Sequence, residues 1–431
     1  MQFHSTNRKV PSVSFKEAVL KGLPDDNGLY MPEEMPSFPH EFLKKLPGLS
    51  FTDIAFETAK LLIENEIEKD DLKAIIEDAF DFDIPLINVH DNIHVLELYH
   101  GPTLAFKDFG ARFMARVMGY FLKSDDRKIN ILVATSGDTG SAVAQGFLGV
   151  DGIRVTLLYP KGKVSKIQEQ QLTTIGQNVT ALEIDGTFDD CQHMVKTAFL
   201  DKELNKKLTL SSANSINIAR LLPQSFYYTY AFSRLMNSAE NLYFCVPSGN
   251  FGNLCGGLLA KKMGIPITGF IAASNANDIV PTYLDTEVFA PRASVQTISN
   301  AMDVGNPSNF SRLLDLYGND YQKIIDDIKG ISFSDDETKA LITEVHERYN
   351  YLMCPHTAIG YGGLKHYLNP GDIGIALSTA HPCKFIEIVE PLISEQVEIP
   401  LRLQKIITRK KQAISMTKDS ATFKAYLLRS S

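Results

Sequence analysis

The stretch His100-Gly101-Pro102-Thr103-Leu104-Ala105-Phe106-Lys107-Asp108-Phe109-Gly110 sets one lysine inside an apolar run, where a helix begins. After it, Phe109, Phe113, Met114, Val117 and Phe121 recur at helical spacing. Thr103 or Asp108 is the expected cap, depending on where the first turn starts. The positive end of the helix dipole is a poor place for a cation. Burial acts in the same direction, so Lys107 is expected to lose its proton more easily than a surface lysine. A neutral amine is what Schiff-base chemistry needs. This stretch alone leaves open a lysine snorkelling from an amphipathic helix.

Three further polar clusters bear on chemistry. Ser248-Gly249-Asn250-Phe251-Gly252-Asn253 lies between an apolar run and a helical pattern. Its glycines let backbone amides approach an anion, and the helix start adds partial positive charge. The loop has neither GxxxxGK[ST] nor GxGxxG spacing, and the next strand ends in Ala273-Ser274-Asn275 without an acidic residue. A nucleotide P-loop and a dinucleotide site are therefore set aside. Thr135-Ser136-Gly137-Asp138-Thr139-Gly140 is a second donor-rich loop, suited to a small carboxylate or to a plain helix cap. In Asn214-Ser215-Ile216-Asn217-Ile218-Ala219-Arg220, helical spacing puts Asn217 and Arg220 on one face with Asn214 above them. That set suits a phosphate, or a cap with a surface ion pair. No HExxH or paired-cysteine spacing suggests zinc, and no GxSxG elbow is present. His90 and His94 fall in a strand-like alternation that does not bring them together.

The elements that must position these clusters are legible as alternating strands and helices. Ile129–Ala134, Arg154–Tyr159, Leu242–Val246, Ile267–Ala272 and Ile373–Leu377 read as buried strands, with helices to about Leu148 and Lys262. The alternation predicts α/β units on mostly parallel sheet, where ligands bind at the carboxyl ends of the strands. All three strand-end polar loops, the one after Leu377 included, sit there. Before residue 95 the pattern is mostly helical, over Phe15–Lys21, Phe51–Asn65 and Asp71–Phe80.

The 431 residues suggest two or three domains. At 44% hydrophobic, 22% charged and net charge −8, the chain reads as an ordinary globular protein without a basic field for nucleic acid. Residues 402–429 are locally basic, which reads first as a solvated helix or frayed end. The five cysteines form no CxxC pair and are odd in number, which fits a reducing compartment. Met1–Val10 has no apolar core, so no secretory leader is expected, and no run approaches the ~20 apolar residues of a membrane span.

Taken together, these motifs resemble the threonine synthase family, in its shorter bacterial and fungal branch, within the pyridoxal-phosphate enzymes of tryptophan-synthase-β type. The resemblance runs through GLP…GLYMP, HGPTLAFKDFG, ATSGDTG, NSINIAR, PSGNFGN, NAMDVGNPSN and STAHPCKF in that order, and fades after about residue 390. It implies an α/β enzyme of fold type II, with open, mostly parallel sheets flanked by helices. The implied division is a mostly helical region at 1–95, a cofactor-lysine and small α/β domain at 96–235, a large α/β domain with the phosphate loop at 236–390, and a basic segment at 391–431. It implies pyridoxal 5'-phosphate carried on Lys107, its phosphate held by Gly249, Asn250, Phe251, Gly252 and Asn253, and its ring nitrogen met by Thr379. Thr135, Ser136 and Thr139 would bind the substrate carboxylate. Asn214, Ser215 and Arg220 would bind the substrate phosphate, with Lys163 a weaker candidate. The wider cofactor family has asparagine where this chain has Asp138. Two facing anions repel unless a proton lies between them, so the resemblance does not place Asp138 against the cofactor.

The implied reaction turns O-phospho-L-homoserine and water into L-threonine and phosphate. The alternatives are a phospho-lyase that releases 2-oxobutyrate and a non-catalytic anion-binding relative. The expected partner is a small-molecule substrate, with no metal, nucleic acid or membrane. The expected location is cytoplasmic, and a monomer is compatible with everything in the sequence.

Overall fold

Short apolar runs become strands in a computed structural model that describes every residue except Asn65, Ala239, Ser430 and Ser431. Gln2–Ser5 (β1), Val13–Ser14 (β2) and Tyr30–Pro32 (β3) form a small antiparallel sheet, ordered β2-β1-β3. An antiparallel pair follows, Leu86–His90 (β4) and Ile93–Glu97 (β5). Next come Ile129–Ala134 (β6), Ile153–Pro160 (β7), Val179–Asp185 (β8) and Thr209–Ser212 (β9). Leu242–Pro247 (β10), Gly269–Ser274 (β11), Ile328–Ser332 (β12) and Ile373–Ser378 (β13) complete the middle of the chain, and Ile414–Thr417 (β14) lies near its end.

Two sheets carry the architecture. One has six strands in the order β12-β11-β10-β13-β5-β4, and the other five in the order β14-β8-β7-β6-β9. Apart from β4, every strand in these two sheets runs parallel to its neighbours. Parallel strands buried on both faces read as continuous apolar runs, and β6, β10 and β13 do. The sheets are interleaved in sequence. β5, just before the lysine motif, belongs to the six-stranded sheet, and β14 returns to the edge of the five-stranded one.

Residues 1–95 carry the helices Phe15–Lys21, His40–Lys45, Phe51–Ile63 and Lys69–Ala79, but also the three-stranded sheet and β4. The second helix of the sequence reading ends before Asn65, which lies outside the described residues. The helix Lys107–Leu122 is buried along most of its length, with Phe109, Phe113, Met114 and Val117 at 0% exposure. Its cap differs from expectation. The N-cap position is Phe106, which makes no side-chain bond there. Asp108 instead turns back and accepts from Thr103 N at 2.8 Å and Thr103 Oγ1 at 2.7 Å, closing the loop rather than the helix.

The basic C-terminal segment is paired with acids of the five-stranded half. Lys411 meets Glu169 at 2.8 Å and Glu183 at 2.5 Å, and Lys424 meets Asp201 at 2.7 Å and Glu203 at 2.9 Å. Among the described residues, no helix is long and apolar enough to cross a membrane.

Candidate active site

Loops from the carboxyl ends of β5, β6, β9, β10 and β13 converge on one cavity of about 310 Å³. Lys107, Thr135, Ser136, Thr139, Asn214, Ser215, Arg220, Gly249, Asn250, Phe251, Gly252, Asn253 and Thr379 all line it. Lys163 and Asp138 do not appear in its lining.

Lys107 is delivered by a loop clamped to the end of β13. Leu98 N donates to Ser378 O at 3.0 Å, Phe106 N to Thr379 O at 2.9 Å and His381 N to Leu104 O at 3.1 Å. The lysine then opens its helix beneath the cavity. Burial pulls its amine down to about 8, against the opposing pull of Asp138; Arg220 and Lys384 add to the lowering. An appreciable neutral fraction near neutral pH follows.

The glycine loop after β10 wraps the start of the helix Gly252–Lys262. Phe251 takes a left-handed conformation at φ 57°, which turns the chain into that helix. A Cβ on Gly249 would lie 2.6 Å from Met302 Cα, so the loop lies against backbone where only glycine fits. Its side chains are spent on shaping it. Asn253 Nδ2 donates to Pro247 O at 2.9 Å, and Ser248 Oγ donates to Asn253 Oδ1 at 2.5 Å. Asn250 Oδ1 accepts from Ser308 N at 2.6 Å and Ser308 Oγ at 2.9 Å, while its Nδ2 donates to Ser215 Oγ at 2.5 Å. Backbone amides at a helix start are what remains for an anion.

A second donor set faces the same space. Arg220 is buried, its Nη1 donates to Ala213 O, and its Nε has no hydrogen-bond partner among the described residues. Asn214, whose acceptor Oδ1 is buried without a partner among the described residues, lines the cavity beside it. Gly110 lets this arginine approach, since a Cβ there would stand 2.7 Å from Arg220 Nε. Asn217, expected to share a face with Arg220, caps the short helix Ile218–Leu221 and donates to Val19 O at 2.9 Å, outside the cavity lining. In the loop after β6, Thr135 Oγ1 accepts from Gly137 N at 3.0 Å and Gly140 N at 2.8 Å. That hydroxyl shapes the loop and leaves Ser136 and Thr139 facing the cavity.

Sequence reasoning passed over several buried residues that build this site. Arg312 donates to Ser215 O at 2.8 Å, Ile216 O at 2.7 Å and Asn309 Oδ1 at 2.8 Å, fixing the second donor loop from below. His356 lines the cavity, accepts from Ala301 N at 3.3 Å, and is pulled down to about 4 by burial. Lys384 is fully buried against Asp138. Lys384 is part of STAHPCKF, but only the fold shows its partner.

The profile described as "Threonine synthase N terminus" matches residues 2–80, "Pyridoxal-phosphate dependent enzyme" matches 85–379, and "Threonine synthase, C-terminal" matches 357–427. A threonine synthase of Haemophilus influenzae is 43% identical over 431 residues, all of both chains. The chain belongs to the threonine synthase family. The crystal structure of threonine synthase from Escherichia coli superposes with a TM-score of 0.94 at 40% identity, covering 100% of both chains. The pyridoxal-phosphate-bound threonine synthase of Brucella melitensis gives 0.94 at 35% identity, covering 100% of this chain and 99% of that one. Family likeness thus continues past residue 390, where motif resemblance fades, because β14 and the last helix belong to the shared fold.

The cavity fits the cofactor of this family. It has a buried amine of lowered proton affinity, a glycine cradle that a Cβ at Gly249 would fill, and Thr379 at the end of β13. Arg220, whose buried Nε has no partner among the described residues, lines the same cavity.

Proposed function

We infer that this chain is a pyridoxal-phosphate-dependent lyase that converts O-phospho-L-homoserine and water to L-threonine and phosphate. The observation that carries the reading is one cavity lined by a buried lysine, by a glycine loop at a helix start and by an arginine whose Nε has no partner among the described residues. The glycine loop serves the cofactor phosphate, and the arginine serves the phosphate that leaves.

Pyridoxal phosphate, when bound, supplies the electron sink that makes the carbon acids of the substrate accessible. The chain's own groups do the rest. Backbone amides of Gly249–Asn253 hold the cofactor phosphate, and Thr379 meets the ring nitrogen. Ser136 and Thr139, on the loop that Thr135 shapes, hold the substrate carboxylate. Arg220, Asn214 and Ser215 hold the γ-phosphate and favour its departure as charge develops on it. Lys107 takes and returns protons at Cα and Cβ, as a buried amine near neutral proton affinity can. Water adds at Cβ once phosphate has left, so the two halves close over the cavity during elimination.

The reading includes a cytoplasmic location, supported by five buried cysteines that are all free thiols. It includes a small-molecule partner and no nucleic acid, supported by the net charge of −8. The test is chemical. Borohydride should fix the cofactor to the peptide containing Lys107, and Lys107→Ala should lose both the link and nearly all turnover. Product assay should find threonine and phosphate in equal amounts. Release of 2-oxobutyrate in place of threonine would sink the reading.

A further inference from the structure

Close to the catalytic amine lies an ion pair that the steps above do not use. Lys384 Nζ sits 2.5 Å from Asp138 Oδ1, with side-chain exposures of 0% and 4%. Gln168 Nε2 donates to the same carboxylate oxygen at 2.9 Å. Lys384 Nζ also donates to Thr103 O at 3.0 Å. Thr103 in turn binds Asp108, the residue after Lys107. The pair therefore joins three pieces of chain. Asp138 opens the helix after β6, Lys384 follows β13, and Thr103 lies in the loop that delivers the lysine. It bridges the five-stranded and six-stranded halves behind the cavity lining, which neither residue joins.

A buried ion pair is an inefficient way to hold a fold, because desolvating two charges offsets much of their attraction. What the charges add is a field. The charged groups that act on the amine of Lys107 are Asp138, Arg220 and Lys384. His356, on the helix Pro355–Tyr367, also faces this group of charges and is kept neutral by burial. Arg220 brings positive charge from the helix Ile218–Leu221. Asp138 is the carboxylate in the set. Left to itself it would hold Lys107 as an ammonium, unfit for its chemistry.

We propose that Asp138 and Lys384 form a positioning pair for Lys107, in which Lys384 holds the carboxylate by direct contact and so shares its charge between two lysines instead of fixing a proton on the catalytic one. The proposal rests on the reading of Lys107 as the cofactor-bearing residue. The countercharge of this buried aspartate is thus built into the fold.

Lys384→Gln and Asp138→Asn each remove one charge and keep a hydrogen-bonding side chain. The full chain is stripped of cofactor, and the rate at which added pyridoxal phosphate produces the visible band is measured across pH. Capture requires the neutral amine, so the rate rises through the proton affinity of Lys107. In Lys384→Gln, Asp138 faces Lys107 alone, and the midpoint is expected to move up by about one pH unit. In Asp138→Asn, Lys384 and Arg220 face the amine without a carboxylate, and the midpoint is expected to move down by a similar amount. Borohydride trapping with peptide mapping locates the captured cofactor. If the parent is not labelled at Lys107, the underlying reading falls and the proposal with it. If labelling is at Lys107 but both variants keep the parental midpoint, or both move the same way, the proposal alone is overturned and the pair is only structural. Should one single variant fail to fold, the other decides, because the two are expected to move the midpoint in opposite directions: a parental midpoint, or a move against the stated direction, in the surviving variant overturns the proposal.

Discussion

Arg220 has a donor filled at Nη1 and an unpaired one at Nε. Its Nη1 is tied to Ala213 O, while Nε is buried without a partner among the described residues. A buried donor left unmatched is costly, and a phosphate oxygen would match it. Lysine keeps the charge but has no fork and no Nε, so Arg220→Lys should lower kcat together with kcat/KM, by about 2–4 kcal/mol. Cofactor absorbance should stay normal, because the side-chain bond of Arg220 goes to Ala213 O and not to the glycine loop. Were the arginine only a tether for Ala213, the melting temperature would fall and kinetics below melting would stay normal, so both are to be measured. His356 gives a second prediction at this scale, on acid sensitivity. Burial pulls it from 6.5 to about 4 in the folded chain. The unfolded chain therefore binds the extra proton first, and the folded state loses stability as pH falls from 6.5 towards 4. That shift corresponds to a loss on the order of 3 kcal/mol. His356→Gln keeps an acceptor for Ala301 N and removes the titration. Melting temperatures at about pH 5 and about pH 7 should lie closer together in the variant than in the parent. Equal spacing would refute the assignment of His356 to this loss.

The glycine loop after β10 is an element whose backbone does the binding in the proposed function, and its glycines are not equivalent. A Cβ at Gly249 would press on the backbone of Met302 from 2.6 Å, and backbone cannot step aside as a side chain can. At Gly252 the nearest atoms are Asn309 Nδ2 at 3.4 Å and Ser215 Cβ at 3.5 Å, ordinary contact for one added carbon. Gly249→Ala should thus weaken cofactor binding more than tenfold, over ~1.4 kcal/mol. Gly252→Ala should be nearly silent, whereas the branches of Gly252→Val should crowd both neighbours and cost more than tenfold as well. Cofactor titration checks all three, and an unchanged Gly249→Ala would place the phosphate elsewhere. This element was readable from sequence because an apolar run, a cluster of turn residues and a helical pattern follow one another without overlap. So were the units built on β6 and β13. β1, β9, β12 and β14 were not, because each is only four or five residues long and mixes polar with apolar positions, so no period develops. The cap of the lysine helix was misread for a different reason. Thr103 and Asp108 are good capping types, but each satisfies the other across the loop, and the helix start is left to the cavity. Lys384 and Arg312 were invisible as site residues because a lysine or arginine in sequence is presumed solvated, and only tertiary contacts show that both are buried.

Across the whole molecule, the chain passes from one sheet to the other and back, so neither half is a separate stretch of sequence. β5 leads from the six-stranded sheet into the lysine helix, and β14 brings the last residues back beside β8. The final segment is therefore part of the half that carries Ser136 and Thr139. Its basic residues pair with Glu169, Glu183, Asp201 and Glu203 of that half, and surface pairs of this kind contribute little each. Apolar contact must do most of the holding. Phe423, 1% exposed, and Leu427 pack with Cys191, Met194 and Val195 of the helix Phe188–Leu200. Phe423→Ala would leave a cavity in that small core and should cost about 3–5 kcal/mol of stability. The lysine, the glycine cradle and Arg220 lie outside this cluster, so the cofactor band and kcat should stay near parental well below the melting temperature. Phe188 and Gln192, on the same helix, do line the cavity. If that helix also sets how the five-stranded half meets the substrate, the variant should raise KM while sparing kcat and cofactor affinity. Calorimetry together with steady-state kinetics on Phe423→Ala separates the two effects. A parental melting temperature would show that the C-terminal helix does not help to hold this half, and a lost cofactor band would show that the two halves are not as independent as their sheets.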